Sequence, residues 1–104
     1  MNTENPKPKT QNPAFQPAGR VVLRHIGDEH LLIPVSGTAA QSNRIYPLNE
    51  TGAAIWEGLA RGKRIKEIAK DISRTFNVTP EQAETDCRAF VKELIKEALL
   101  EPAA

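Results

Sequence analysis

Apolar residues recur at helical spacing through the C-terminal half of the chain. One series falls at i, i+3, i+4, i+7 and i+11, the spacing of a single helical face: Ile65, Ile68, Ala69, Ile72 and Phe76. An earlier helix is predicted over about Glu50–Ala60, because Asn49 can cap its first turn and Gly62 can end it. A third helix is predicted over about Thr79–Leu99, because Pro80 suits its first turn.

The N-terminal half instead carries short runs of β-favouring residues. Arg20–Ile26 and Glu29–Val35 are separated by Gly27-Asp28, a pair typical of a tight hairpin turn. A third run, Arg44–Leu48, follows a small polar loop, and its Pro47 donates no backbone hydrogen bond, which suits the edge of a sheet. The predicted fold is therefore α+β and winged helix-turn-helix-like, with a three-stranded antiparallel sheet followed by three helices.

The first residues of the chain, Met1–Gly19, differ in composition from the rest. Prolines lie there among Asn, Gln, Lys and Thr, and such a segment buries too little apolar surface to offset its ordering entropy. We therefore expect a flexible arm over 1–19 and a folded domain over 20–101. Phe15 leaves open that the arm pairs with a partner or makes a dimer, in which case the protein would be a structural adaptor.

The third predicted helix carries a broad apolar arc. At 100° per residue the arc covers roughly 140°, wider than one packing contact needs. Its members are Ala83, Cys87, Phe90, Val91, Leu94, Ile95 and Ala98. One interpretation is a helix wedged between two others and a sheet; the other is a helix that lines a groove.

Composition bounds the class of protein. A chain of 104 residues is one domain by size, and its formal charge of +1 gives no strong attraction to nucleic acid or membrane. Cys87 is the only cysteine, which excludes an intrachain disulfide. No apolar signal or membrane-spanning run is present, so we expect a cytoplasmic protein.

Residues with catalytic or metal-binding chemistry are sparse. His25 and His30 flank the predicted hairpin turn, but nothing supplies further ligands at zinc-site spacing. Cys87 lies on an apolar helical face, where a buried hydrophobe is the default interpretation. We therefore expect a protein that is not an enzyme and that has no cofactor and no metal.

A DNA-binding transcriptional regulator is the alternative that the winged helix topology allows. The helix over Thr79–Leu99 carries five acidic and three basic residues, and its first turns, which should enter a groove, are acidic. Phosphates would repel that end, which argues against nucleic acid. A basic cluster lies on the preceding segment and could meet an anion or an acidic protein: Arg61, Lys63, Arg64, Lys66, Lys70 and Arg74.

The run Tyr46–Trp56 resembles the PqqD family, named for a protein of pyrroloquinoline quinone (PQQ) biosynthesis. Members show a tyrosine, then Leu-Asn-x-Thr, small residues and Ile-Trp, and this chain has each of these in order. The family's Ile-x-x-Ile-Ala helix is matched by Ile65–Ala69, and its acidic, Asp-containing third helix ending in leucines is matched by Asp86–Leu100. The similarity spans about 20–101.

The resemblance implies a peptide-recognition module rather than an enzyme. Such domains bind the leader of a ribosomally made precursor peptide and present it to a modifying enzyme, in the namesake pathway a radical S-adenosylmethionine (radical SAM) protein. The leader is expected to add as a strand beside Arg44–Leu48 and to place apolar side chains in a groove against the third helix. The implied peptide-binding residues are Arg44, Ile45, Tyr46, Pro47, Leu48, Ala83, Asp86, Cys87, Phe90, Val91 and Leu94.

Overall fold

The computed structural model describes residues 14–41 and 43–103. Its elements are β1 (Phe15–Pro17), β2 (Val21–Ile26), β3 (Glu29–Pro34), α1 (Thr38–Gln41), β4 (Tyr46–Leu48), α2 (Glu50–Ala60), α3 (Ile65–Phe76), α4 (Pro80–Lys96) and β5 (Leu100–Pro102). The α+β, winged helix-turn-helix-like fold predicted from the sequence is confirmed, with α1 as one extra helical turn in the predicted loop.

The central sheet has the strand order β2–β3–β4, with both neighbouring pairs antiparallel. Gly27 has φ +61° in the turn that joins β2 to β3, a conformation that glycine adopts without steric cost. On β4, Tyr46 lies opposite Leu32 and Leu48 lies opposite His30. The described residues place no strand on the other side of β4, so the predicted meander and its edge strand are confirmed, although the strand begins at Tyr46 rather than at Arg44.

α2 and α3 have the bounds that the sequence predicts. The Asn49 side chain accepts a hydrogen bond from the Gly52 N–H at 2.7 Å and so caps α2. At the start of α3, the Glu67 carboxylate accepts from the Arg64 N–H at 3.1 Å. These bonds satisfy backbone donors that a helix start leaves free.

α4 begins as predicted and ends earlier than predicted. The Thr79 hydroxyl accepts from the Gln82 N–H at 3.1 Å, and Pro80 occupies the first helical position. The helix stops at Lys96 rather than near residue 99, because Ala98 adopts a left-handed conformation with φ 62°. This conformation turns the chain out of the helix and into β5.

The hydrophobic core lies between the helices and one face of the central sheet. Leu32 is the fully buried sheet residue at its centre, and Trp56 contributes the largest aromatic side chain. Ala39 of α1 also belongs to this core. The core therefore fixes α2 and α4 beside β4, which is what positions the site described below.

A second, two-stranded sheet joins the two ends of the described chain. β1 pairs antiparallel with β5, and Phe15 lies opposite Pro102. Phe15 is only 9% exposed and belongs to the core. The expectation of a flexible arm over 1–19 is therefore wrong for Phe15–Pro17, because the phenyl ring finds apolar partners within its own chain. Residues 1–13 lie outside the described residues.

Candidate functional site: a groove beside the edge strand

An open groove of about 410 Å³ lies between the edge strand β4 and α4, above the first turns of α2. Most of its lining comes from the strand-to-helix junction, and the remainder from α4. The lining residues are Pro47, Leu48, Asn49, Thr51, Gly52, Ile55, Asp86 and Phe90. We call this feature the β4–α4 groove.

The floor of the β4–α4 groove comes from the first turns of α2, where the polar side chain of Thr51 lies beside Gly52 and the apolar side chain of Ile55. Thr51, Gly52 and Ile55 follow at i, i+1 and i+4, so they share the face of α2 that turns towards α4. Ile55 is buried and closes the floor. A Cβ atom on Gly52 would lie 3.6 Å from both Leu48 Cβ and Phe90 Cζ. Glycine at this position therefore adds depth to the groove.

Polar contacts between the start of β4 and the end of α4 lie beyond the lining residues at one end of the groove, which we call its closed end. The Tyr46 hydroxyl donates to Glu97 Oε1 at 3.0 Å, and Arg44 Nη1 lies 3.3 Å from the same oxygen. The Arg44 guanidinium also lies 5.0 Å from the centre of the Tyr46 ring. These contacts join the start of β4 to the end of α4 and so set the width of the groove at that end.

The free edge of β4 has fewer backbone hydrogen-bond donors than acceptors. The Val35 N–H donates to Arg20 O, so every second residue of β3 forms its backbone hydrogen bonds with β2. The backbone groups of the intervening residues, including Leu32, point towards β4. Tyr46, opposite Leu32, therefore bonds inwards, and the alternation turns the backbone of Ile45 and Pro47 outwards. Pro47 has no N–H, so the outward edge accepts at Pro47 and can both donate and accept at Ile45.

The predicted peptide-binding residues divide into three groups. Pro47, Leu48, Asp86 and Phe90 line the groove, as the resemblance implies. Tyr46 of β4 and the two residues before the strand, Arg44 and Ile45, lie at its closed end and outer edge. The remaining four are buried, at most 4% exposed, and support α4 from the core side without lining the groove: Ala83, Cys87, Val91 and Leu94.

Sequence reasoning missed four lining residues, Asn49, Thr51, Gly52 and Ile55, and the closing residue Glu97. Asn49 and Ile55 were given a structural role, as helix cap and core residue. The signal that could have found part of the set is the i, i+4 spacing of Thr51 and Ile55 in the helix that follows the edge strand.

Other candidate sites found in the sequence have structural explanations. His25 and His30 lie opposite each other on the hairpin, with their Nδ1 atoms 2.7 Å apart, so one ring donates to the other. Among the described residues, no group of three or more His, Cys, Asp or Glu side chains could hold a metal ion. In the described part of the chain, no helix is long and apolar enough to cross a membrane.

The basic cluster on 61–74 is partly neutralised within the chain. Asp71 accepts from Lys63 Nζ at 2.9 Å and from Arg74 Nη2 at 2.8 Å. The hydrogen bond from Lys63 is the main reason that the pKa of the Asp71 carboxyl is lowered. These exposed pairs make the cluster a weaker anion-binding surface than its sequence suggests.

The fold and the β4–α4 groove define a winged helix-turn-helix-like domain with an open strand edge beside a cleft of mixed polar and apolar lining. The family model of Coenzyme PQQ synthesis protein D (PqqD) matches residues 20–100. This chain belongs to the PqqD family. No curated protein matches the chain.

Two solved structures resemble this chain over most of its length. The first is TbiB1 in complex with the TbiA(beta) leader peptide, at 32% identity, with 86% of this chain and 98% of that chain covered and a TM-score of 0.71. The second is lasso peptide synthetase B1 complexed with the leader peptide, at 22% identity, with coverages of 85% and 98% and a TM-score of 0.72. The second match bears on the fold alone. Neither match, nor the family, supports the DNA-binding alternative.

Proposed function

We propose that this chain binds the leader segment of a ribosomally synthesised precursor peptide. The leader adds as a strand to the outer edge of β4 and places alternate apolar side chains in the β4–α4 groove. The observation that carries the proposal is the juxtaposition of an open strand edge with a groove whose lining includes the apolar side chains of Leu48, Ile55 and Phe90. In strand addition, the edge supplies affinity through backbone hydrogen bonds, and the groove supplies specificity.

Membership of the PqqD family and the 32% identity to a protein solved with a leader peptide support this proposal. The contact residues would be Arg44–Leu48, Asp86 and Phe90, together with Thr51 and Ile55 of the floor. Asp86 and Phe90 are on α4 and face β4 across the groove. The buried residues of α4 hold this face in place.

The bound leader would be presented to a modifying enzyme, of the radical SAM class or another, for the synthesis of PQQ or another modified peptide. In this scheme the chain is a binding module and catalysis belongs to the enzyme. Precursor peptides are made on ribosomes, so the proposed setting is the cytoplasm.

Calorimetric titration of the full chain with leader peptides encoded beside its gene tests the proposal. Phe90→Ala should raise the Kd at least tenfold, about 1.4 kcal/mol, because an aromatic anchor in a groove contributes strongly to binding. Ile95→Ala is the matched control, since Ile95 is 40% exposed and lies about 140° round the same helix from Phe90.

The control variant should bind within twofold of the original chain. Thermal unfolding must show both variants folded at the titration temperature, because Phe90 also packs against the core. Equal losses in the two variants, or no binding of any encoded leader to the original chain, would contradict the proposal.

A further inference from the structure

Asp86 is the one ionisable residue among those lining the β4–α4 groove. Its Oδ1 accepts a hydrogen bond from the Gln82 side-chain amide at 2.9 Å, a neutral partner. The side chain is exposed at the rim, while Phe90 lies beside it on the groove wall. A peptide that fills the groove therefore meets a carboxylate and a phenyl ring on the same wall.

The acidic residues at the C-terminal end of α4 share the face of Asp86, whereas Glu81 and Glu84 lie on the far side, where Glu84 pairs with Arg88. Taking Asp86 as the origin, Glu93 and Glu97 lie within about 20° of it at 100° per residue, on the side that contacts β4. The basic residues of α4 are separated from that origin by about 80° to 160°. They are Arg88, Lys92 and Lys96.

One of these carboxylates is already compensated. Glu97 forms a salt bridge with Arg44 and accepts a hydrogen bond from the Tyr46 hydroxyl, so the carboxylate at the closed end of the groove already has a cation of this chain beside it. The open end at Asp86 has none among its lining residues. The electrostatic asymmetry favours a ligand that brings a positive charge to the Asp86 end.

The spacing along α4 matches that of an extended peptide. Four residues of helix advance about 6 Å from Asp86 to Phe90. Two residues of a strand advance about 6.8 Å and place both side chains on one face. Side chains at i and i+2 of a docked strand can therefore meet Asp86 and Phe90 together.

The direction follows from the contacts at the two ends of β4. Tyr46, at its start, contacts Glu97 at the end of α4, while Leu48, at its end, lines the groove with Asp86. β4 and α4 are thus antiparallel. Both strand pairs of the central sheet are antiparallel, and a leader that is added to β4 in the same way runs in the direction of α4 and passes Asp86 before Phe90.

We propose that the leader recognised here carries a lysine or arginine two positions before an apolar anchor, with its cation at Asp86 and the anchor over Phe90 and Ile55. This inference rests on the proposed function and specifies its ligand class as a basic-apolar strand. Asp86 is in this view a specificity-determining residue, because the uncharged floor of the groove does not distinguish a peptide that carries a basic residue from one that does not.

A displayed library of random peptides of about twelve residues, selected against the full chain, tests this inference. Parallel selections use Asp86→Asn, Asp86→Lys and the off-groove control Glu81→Gln, which has the same charge change as Asp86→Asn but lies about 140° round α4. Binders that depend on the groove are those lost with Phe90→Ala. Circular dichroism confirms that each variant is folded.

The expected result is enrichment of Lys or Arg two positions before an apolar residue on the original chain and on Glu81→Gln. Asp86→Asn should lose the enrichment, and Asp86→Lys should select Glu or Asp instead. In anisotropy titrations of a selected peptide at low salt, Asp86→Asn should weaken binding about threefold to tenfold, and added salt should shrink the difference.

Two results would overturn the inference, and they are distinguishable. Groove-dependent binders without a basic preference, or with the same preference on Asp86→Lys, would refute the ligand class while leaving strand addition standing. A selection that yields no groove-dependent binder would count against the proposed function itself and therefore against both.

Discussion

Cys87 shows how burial decides the chemistry of a single residue. Its side chain is fully buried in the core, and desolvation, reinforced by the negative charge of Asp86, raises the pKa of the Cys87 thiol to about 11. At neutral pH the sulfur is protonated and a poor nucleophile. The prediction of a buried small hydrophobe at this position is confirmed.

The raised pKa has a consequence for stability at high pH. The thiol of the unfolded chain ionises near 9.0 and that of the folded chain near 11, so the folded state retains a proton that the unfolded state has lost. Its stabilising contribution is present below pH 9 and is lost as the pH rises towards 11.

Urea unfolding from pH 8 to 10.5 under reducing conditions should therefore separate the original chain from Cys87→Ala. The difference in unfolding free energy should change in favour of the alanine variant by up to about 1.4 kcal/mol per pH unit above pH 9. Contributions from other groups that ionise in this pH range cancel in the difference between the two unfolding free energies, because both chains contain those groups. A difference that is independent of pH would contradict the assignment.

Tyr46 has a more constrained environment than an exposed strand residue. It is half-buried opposite Leu32, and its hydroxyl donates to Glu97. These contacts give the residue a structural role at the closed end of the β4–α4 groove. That its ring also contacts a leader peptide stays a prediction.

At the scale of elements, the approach of α2 to α3 depends on Gly58. A Cβ atom built there would lie 2.8 Å from Ile68 Cγ1 and 3.1 Å from its Cδ1, closer than side chains tolerate. Gly58→Ala would gain about 1 kcal/mol of helix propensity but would overpack the contact by about 1–3 kcal/mol.

The expected result for Gly58→Ala is a net loss of unfolding free energy, of about 1 kcal/mol, in chemical denaturation. In the background of Ile68→Ala, which removes the crowded atoms, the same substitution should be neutral or stabilising. The two measurements form a double-mutant cycle that isolates the contact. If Gly58→Ala stabilised the original chain, the close packing would be refuted.

The sequence predicts the elements well where the chemistry is local. The bounds of α2 and α3 follow from Asn49, from apolar spacing and from Gly62, and each of these acts within one helical turn. The end of α4 could not be predicted in this way, because the left-handed turn at Ala98 depends on where β5 must pair. β1 was missed for the same reason, since a three-residue strand has no pattern of its own.

The candidate site is less predictable than the fold. The arc on α4 identifies the helix, but it mixes residues that face the core, such as Cys87, with residues that face the groove, such as Phe90. Only the packing of α4 against α3 determines which side of α4 faces the core and which side faces the groove. The role of Gly52 cannot be predicted from the sequence either, because it depends on the space between the side chains of Leu48 and Phe90.

For the whole molecule, two small sheets hold the groove in place. The β1–β5 pair fixes the ends of the described chain, and Gln16 Nε2 donates to Glu101 Oε2 at 2.7 Å across it. The central sheet leaves the edge of β4 open beside α4. This combination of a fixed frame and an open edge suits the addition of one extended peptide.

Strand addition at β4 would protect the backbone of its outer edge, and amide hydrogen exchange of Ile45 measures that protection. Ile45 directly precedes β4, and the alternation of the strand, continued by one residue, turns its N–H to the open edge, while the backbone of Leu23 faces outwards at the opposite edge of the sheet, on β2. In a saturating complex with an encoded leader, exchange at Ile45 should slow at least tenfold, and exchange at Leu23 should not change. Unchanged exchange at Ile45 under saturation, or slowing at Leu23 instead, would contradict strand addition at β4.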